Sequence, residues 1–176
     1  MTSADELREV RILEFPIDVN QRASEAFEGL RREFTLVAMR TSEAAEVPAR
    51  LLELVTALTD EFEGISSEAD RLRAEAEERD DLVLAELVHH VPPAIVPACI
   101  ALNEMIDEAD EYCRQGDLLL SLASPPEAVA FRRWYLGEFT AQLNGEPPLP
   151  WPQADQEALL REPRLRGTTG AEPSLR

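Results

Sequence analysis

The 176-residue chain is strongly acidic, with 35 acidic side chains against 17 basic ones and a formal net charge of -18. This charge argues against a nucleic-acid surface, because affinity for phosphates depends on Lys and Arg displacing counterions, and it disfavours anionic membranes for the same reason. Hydrophobic residues form 44% of the chain, enough for one cored domain with a tail. The acidic N-terminus, without a signal peptide or a long apolar run, predicts a cytoplasmic protein.

Two parts of the chain repeat one pattern, an apolar run ended by proline, a long amphipathic segment, a proline-started helix and a Glu-Phe pair. The matching positions are 76 to 77 residues apart: Pro16 and Pro92, Pro48 and Pro125, Glu61-Phe62 and Glu138-Phe139. Repeated units of this kind bury their apolar faces against one another. We predict a mostly α fold, in which a pseudo-twofold repeat of two strand-helix-helix units forms a four-helix bundle with a small two-stranded sheet.

The first unit spans residues 9–65. Its apolar run predicts a strand, and residues 19–38 carry apolar side chains at helical spacing. Pro48 opens the next helix, and the short connection between the two helices predicts an antiparallel hairpin. The following residues, 66–81, contain helix formers but no apolar stripe, so they form either a solvated helix or a charged linker.

The second unit spans residues 82–145. Residues 82–91 either extend the preceding helix or form a strand, and their likeness to the first apolar run favours the strand. A helix from about residue 93 to 114 follows, and a capping box at Ser124–Glu127 begins the last helix. The whole of residues 1–152 is predicted to be a single domain, with residues 153–176 as a flexible tail that cannot bury enough apolar surface to become ordered.

The third predicted helix, from about residue 93 to 114, carries both cysteines. Cys99 and Cys113 are 14 residues apart, about 21 Å along a helix, so they cannot pair with each other. Two buried free thiols are predicted.

The sequence carries no motif for cofactor binding or nucleophilic catalysis. It contains neither a Gly-x-Ser-x-Gly turn nor a glycine-rich phosphate loop. Carboxylate-bridged iron bundles carry Glu-x-x-His on helices, whereas the one such spacing in this chain, from Glu86 to His89, falls in the run that favours a strand. His89 and His90 are adjacent and stand beside a proline region, so they cannot both reach one metal from a regular element; a surface or strand-end role is favoured. We predict no cofactor and no metal.

Four carboxylates, Glu104, Asp107, Glu108 and Glu111, stand at i, i+3, i+4 and i+7 on the third predicted helix, opposite its apolar stripe. Because that stripe needs the core, these side chains are expected to face water. One straight helix cannot wrap a hard cation, which takes six to eight oxygen ligands. The four residues are therefore predicted to form a solvated face or a partner-facing acidic patch.

Arg132 lies in the middle of the apolar arc of the last predicted helix, and Asp110 borders the apolar stripe of the helix before it. In the repeat these two residues take the places of Val55 and Phe34. Residues equidistant from the turn of an antiparallel hairpin meet, so the two departures predict a half-buried ion pair that fixes hairpin register. An Arg that grips a ligand is the alternative.

The segment 146–152, EPPLPWP, is predicted to be extended and left-handed. Trp151 either docks on the bundle or belongs to a free linear motif. Docking is favoured because an exposed Trp is disfavoured.

The chain resembles a family of small acidic actinobacterial proteins over most of residues 8–152. The likeness lies in DEADEYCRQGDLLLSLASPPEAVAFRRWYLGEF at 107–139, PLPWP at 148–152 and VRILEFPIDV at 10–19. Members are encoded near anti-sigma-type ATPases and anti-sigma-antagonist proteins, so the resemblance implies a role beside a partner-switching system. It implies no catalytic residue. The chain lacks the Asp-x-Gly-x-Gly loop of those ATPases and is not predicted to be one.

These observations predict a non-enzymatic acidic regulatory or adaptor protein that binds another protein. A small enzyme or ligand-binding protein that uses polar groups in the bundle core around Arg132 is the alternative. An exposed apolar groove rimmed by acids would favour the adaptor, whereas a closed polar pocket with two or more buried ionisable groups would favour the enzyme. Oligomeric state is left open.

Overall fold

A computed structural model describes residues 7–40, 46–61, 67–115, 123–151 and 160–161. Within these ranges the chain forms two strands and five helices. In chain order they are β1 (Arg8–Pro16), α1 (Ile17–Arg40), α2 (Glu46–Glu61), α3 (Ser67–Glu78), β2 (Val83–Val91), α4 (Ile95–Gln115) and α5 (Pro126–Leu143). The mostly helical class is confirmed. The predicted tail, 153–176, lies outside the described residues except at positions 160 and 161.

The two strands form an antiparallel sheet in which Val10 lies opposite His89 and Ile12 lies opposite Leu87. The prediction that residues 82–91 contain a strand is confirmed. One face of the sheet is buried: Val10 and Ile12 of β1 share it with Leu87, His89 and Val91 of β2. The sheet therefore has an inner face that packs on helices.

β1 changes its buried face near its end. Glu14 has a φ of 51°, in the left-handed region that non-glycine residues seldom adopt, and Phe15, not Glu14, is buried. The ring of Phe15 meets the rings of Phe131 and Tyr135 edge to face, at centroid distances of 5.7 and 6.1 Å. This backbone conformation at Glu14 allows Phe15, at the end of β1, to pack on α5.

Each helix packs on at least one other helix or strand. α1 contacts α2 and α5, α4 contacts α2 and α5, and α3 packs on β2. The solvated-helix alternative for residues 66–81 is confirmed at 67–78, although α3 also buries Ala69 and Ala76. The order strand, helix, helix occurs twice along the chain; the pseudo-twofold repeat and the four-helix bundle stay predictions.

The core has two parts. The sheet-side core joins the inner sheet face to α5, α3 and Trp151. The helix-side core consists of Leu30, Phe34, Leu51, Ile106, Ala109 and Cys113. Cys99 and Cys113 are free and buried, and burial raises their pKa to about 12 and about 11. Both thiols therefore stay protonated and unreactive at neutral pH.

None of the helices in the described ranges is both long and apolar enough to cross a membrane.

Candidate functional site

Arg132 lies at the centre of a buried polar cluster between α4 and α5. Its Nη1 donates to Asp110 Oδ2 at 3.4 Å and its Nε donates to Asn103 Oδ1 at 3.2 Å, while its Nη2 contacts Asp107 Oδ1. Only 12% of the Arg132 side chain and 1% of the Asp110 side chain are exposed. The two residues that the sequence singled out thus meet across the seam between α4 and α5.

The second oxygen of Asp110 binds the chain that leads into α5. Asp110 Oδ1 accepts a hydrogen bond of 2.8 Å from the backbone N–H of Ser124. Burial lowers the pKa of Arg132, and the carboxylates of Asp107 and Asp110 raise it. Because burial is the larger effect, the carboxylates offset only part of the cost of desolvating the guanidinium. Asp110 therefore links α4 to both the start and the middle of α5.

Asp107 differs from the expected acidic patch. It was expected to face water, but its side chain is 22% exposed and its two oxygens contact Arg132 and Arg133, with a distance of 2.8 Å to Arg133 Nη2. The physical reason is charge compensation, because two arginines at the α4–α5 seam need carboxylate partners. A signal for this was present in the sequence, since Asn103, Asp107 and Asp110 stand at i, i+4 and i+7 and share one helical face.

The other three members of the predicted patch, Glu104, Glu108 and Glu111, are exposed. Glu111 pairs within its own helix with Arg114 at 2.7 Å. Glu108 reaches across to Arg50 of α2 at 3.1 Å. The patch is therefore divided, and Glu104 and Glu108 belong to a groove between α2 and α4.

This groove, which we call the acidic groove, has a volume of about 580 Å³. The floor of the groove is apolar and consists of Leu54, Ala57, Ala101 and Met105. The rim is charged and consists of Arg50, Glu53, Glu104 and Glu108. Three carboxylates against one guanidinium leave the rim negative. It is a concave apolar surface with an acidic border.

Trp151 packs on α5 with 7% of its surface exposed. Its ring lies 5.3 Å from that of Trp134 and 5.8 Å from that of Phe131, measured between centroids. Trp134 Nε1 also donates to the carbonyl oxygen of Leu149 at 2.8 Å. Residues 146–151 thus lie against the helix through both aromatic and polar contacts.

Glu138 was not recognised as a site residue from the sequence. It is fully buried and accepts hydrogen bonds from Leu149 N at 3.0 Å and from Gln142 Nε2 at 2.9 Å. The amide of Gln142 also bonds to both the N–H and the carbonyl of Arg11 in β1, each at 2.9 Å. One polar chain therefore connects the Pro-rich segment, α5 and the outer edge of the sheet. Its acceptor and donor residues carry no short sequence motif.

His89 is buried in the sheet-side core, not on the surface. It is 2% exposed, and its Nε2 lies 3.0 Å from the hydroxyl of Tyr135. Burial lowers the pKa of His89 to about 4, with smaller effects of Asp70, Arg73 and His90. The imidazole is therefore neutral at physiological pH. In the described ranges, no group of three or more His, Cys, Asp or Glu side chains could hold a metal.

Comparison with known proteins gives no match of this chain to a family model, to a curated protein or to a solved structure.

Proposed function

We propose that this protein is a non-enzymatic acidic regulatory or adaptor protein that binds another protein in the acidic groove. The apolar floor with its glutamate rim is the observation that carries this proposal. Grooves of this kind accept the apolar face of an amphipathic helix. The finer architecture that we propose around it is a pseudo-twofold four-helix bundle, in which the acidic groove lies between one helix of each unit.

The charge of the groove defines the chemistry of the partner. Glu53 and Glu104 are exposed, and Glu108 has one partner, Arg50, at 3.1 Å. The chain as a whole carries a net charge of -18. Rim carboxylates in an acidic field accelerate the approach of a basic partner and orient it. We therefore propose an amphipathic helix with a Lys- and Arg-rich border as the bound element.

The alternative, a ligand site built around Arg132, is less well supported by the contacts. Nη1, Nη2 and Nε of Arg132 are directed at Asp110, Asp107 and Asn103 respectively. Three of the five N–H donors of this guanidinium are therefore directed at protein acceptors. This favours a structural role for Arg132.

Family resemblance supports the regulatory part of the proposal. Residues 107–139, one of the three stretches that carry the likeness, include Glu108 of the acidic groove and both Asp110 and Arg132 of the seam between α4 and α5. The proposed partner is therefore a component of a partner-switching system, such as an anti-sigma-type ATPase or its antagonist.

Capture of partners on the immobilised chain tests the proposal when wild type is compared with two charge-reversed variants. Glu104→Lys with Glu108→Lys reverses the groove, whereas Glu25→Lys with Glu28→Lys makes the same charge change on exposed positions of α1. We expect one stoichiometric protein with a basic amphipathic helix on wild type and on the α1 variant, and at least a tenfold loss on the groove variant.

Equal retention by both variants would remove the acidic groove from the proposal. Capture of no protein, together with turnover of a metabolite by the purified chain, would replace the adaptor with an enzyme.

A further inference from the structure

A second cavity, distinct from the acidic groove, also borders α4. It has a volume of about 470 Å³ and is bounded by α1, α2, α3, α4, α5 and the end of β2. Small-molecule sites have volumes of about 300–1,000 Å³ and mostly apolar walls. The walls here fit that description, with Phe27, Leu58, Leu102 and Leu136 among them.

Few polar groups stand among the described residues that line the cavity, and most of these are already engaged. The hydroxyl of Thr59 donates to the carbonyl of Val55 at 2.8 Å. Asp70 pairs with Arg73 at 2.8 Å, so its charge is balanced at the wall. Ser67 is exposed in the first turn of α3. Among the described residues of the wall no charge is left unbalanced, so an ionised carboxylate or ammonium would be desolvated beside them without a partner.

Tyr135 has hydrogen-bonding capacity left, because its hydroxyl and the His89 ring together carry one polar hydrogen more than their mutual hydrogen bond needs. Neutral His89 and Tyr135 carry two polar hydrogens between them, and the contact of 3.0 Å between Tyr135 Oη and His89 Nε2 uses one. His89 Nδ1 is buried without a hydrogen-bond partner among the described residues. If Tyr135 donates to Nε2, an N–H at Nδ1 is left unmatched, and a buried unmatched donor is costly.

The other proton arrangement leaves no buried N–H unmatched. When His89 Nε2–H donates to Tyr135, Nδ1 is an acceptor without a partner among the described residues, and the Tyr135 O–H is released. Tyr135, unlike His89, lines the cavity. An acceptor atom placed in the cavity would then receive the released O–H.

We propose that this cavity binds a neutral, mostly apolar small molecule that carries one hydrogen-bond acceptor, such as a ketone or ether oxygen, which Tyr135 recognises. The apolar walls supply the affinity by burial. The hydroxyl of Tyr135, oriented by His89, selects molecules with an acceptor. His89 is a positioning residue, since it acts through Tyr135.

Two alanines on α4 allow this cavity and the acidic groove to be tested independently. Ala98 lines the cavity and Ala101 lines the groove, three residues further along the same helix. The same replacement by Trp at each position fills one space and leaves the other open. Failure of ligand binding and failure of the proposed protein docking are therefore distinguishable.

The test uses prodan, a neutral naphthalene ketone whose emission shifts to the blue in apolar surroundings. We expect the full chain to bind one equivalent with a blue shift. Ala98→Trp is expected to weaken binding at least tenfold, and Ala101→Trp is expected to leave it within about twofold, because additional volume matters only inside the cavity. Circular dichroism establishes that each variant is folded; if Ala98→Trp is not, Leu58→Phe fills the cavity from the α2 side.

Tyr135→Phe tests recognition of the acceptor. It is expected to weaken prodan binding about three- to tenfold, the effect of losing one neutral hydrogen bond, and to leave binding of 2-dimethylaminonaphthalene, which lacks the carbonyl, unchanged. An equal loss for both molecules would overturn the role of Tyr135. No saturable prodan binding by wild type, or unchanged binding by the folded cavity-filling variant, would overturn the site.

Discussion

The two helix hairpins of this protein are held by seams of opposite character. Between α1 and α2, Phe34 and Leu51 are fully buried and Val55 packs beside them. Between α4 and α5, Asp110 and Arg132 form a directional polar contact. Apolar packing has no preferred direction, whereas an ion pair with fixed acceptors defines one register. The charged seam therefore gains specificity, but it is sensitive to the loss of a single partner.

Arg132→Val should have the largest effect on stability of the substitutions considered for the two seams. It converts the charged seam toward the apolar one but leaves Asp110, 1% exposed, without its guanidinium. We expect a loss of about 3–5 kcal/mol in the free energy of unfolding, the cost of stranding a buried charge. Urea denaturation followed by circular dichroism measures it.

Asp110→Phe together with Arg132→Val is the matched control. Removing both charges should recover much of that loss, because no buried carboxylate is left unpaired. Recovery should be incomplete, since Ser124 N–H loses its acceptor on Asp110. A loss below about 1 kcal/mol for Arg132→Val alone would show that the pair is not important for stability.

Trp151→Ala tests a second difference between the hairpins, the packing of the Trp151 ring on α5. The ring of Trp151 lies against Phe131 and Trp134 in the sheet-side core. Its removal should cost about 3–4 kcal/mol through lost burial and an unfilled space. Thermal melting gives the effect, and truncation after Gly145 should lower the melting temperature as well. Leu160→Ala, at a residue 42% exposed, is the control; unchanged melting of Trp151→Ala would instead indicate a free motif.

Acid should weaken the sheet-side core through His89. Its pKa falls from 6.5 to about 4 on folding, so between these values the unfolded chain binds more protons than the folded chain. Stability is therefore lost as pH drops from about 6.5 to about 4, by up to about 3 kcal/mol. Urea titrations at both pH values measure the loss.

The carboxylates also titrate in this range, so the comparison is made between variants. His89→Phe should reduce the pH-dependent loss, whereas His90→Gln, at the adjacent exposed position, should retain it. An identical pH dependence in wild type and His89→Phe would contradict the assignment to His89.

Arg22→Ala should have the smallest effect. Arg22 of α1 contacts Glu127 of α5 at 2.9 Å, but both side chains are about half exposed. Exposed ion pairs contribute little to stability because water and salt screen them. Chemical denaturation in low and high salt should show only a small loss of stability, much smaller than that of Arg132→Val. A loss comparable to that of Arg132→Val would mean that the difference in burial between Arg22 and Arg132 does not determine their contributions to stability.

Local sequence patterns predicted the elements well where one face alone is buried. Apolar side chains recur at helical spacing over residues 19–38, and α1 occupies Ile17–Arg40. The strand at 83–91 followed from its apolar run and the proline after it. α5 is different, because α1, α4 and β1 all contact it, so Glu138 and Thr140 are buried with its apolar side chains. A single apolar stripe could not predict that.

The residue order alone was enough to predict the helical class, the placement of the elements, the acidic composition and the two residues, Asp110 and Arg132, that face each other across one hairpin. Periodicity and equal spacing from a turn are local properties, which a chain carries in its residue order. Three features depend on tertiary packing: Asp107 turns to the arginines, His89 is buried against Tyr135, and α2 and α4 together line two cavities. Each of these depends on which distant element packs alongside, and burial and charge compensation are set by that neighbour.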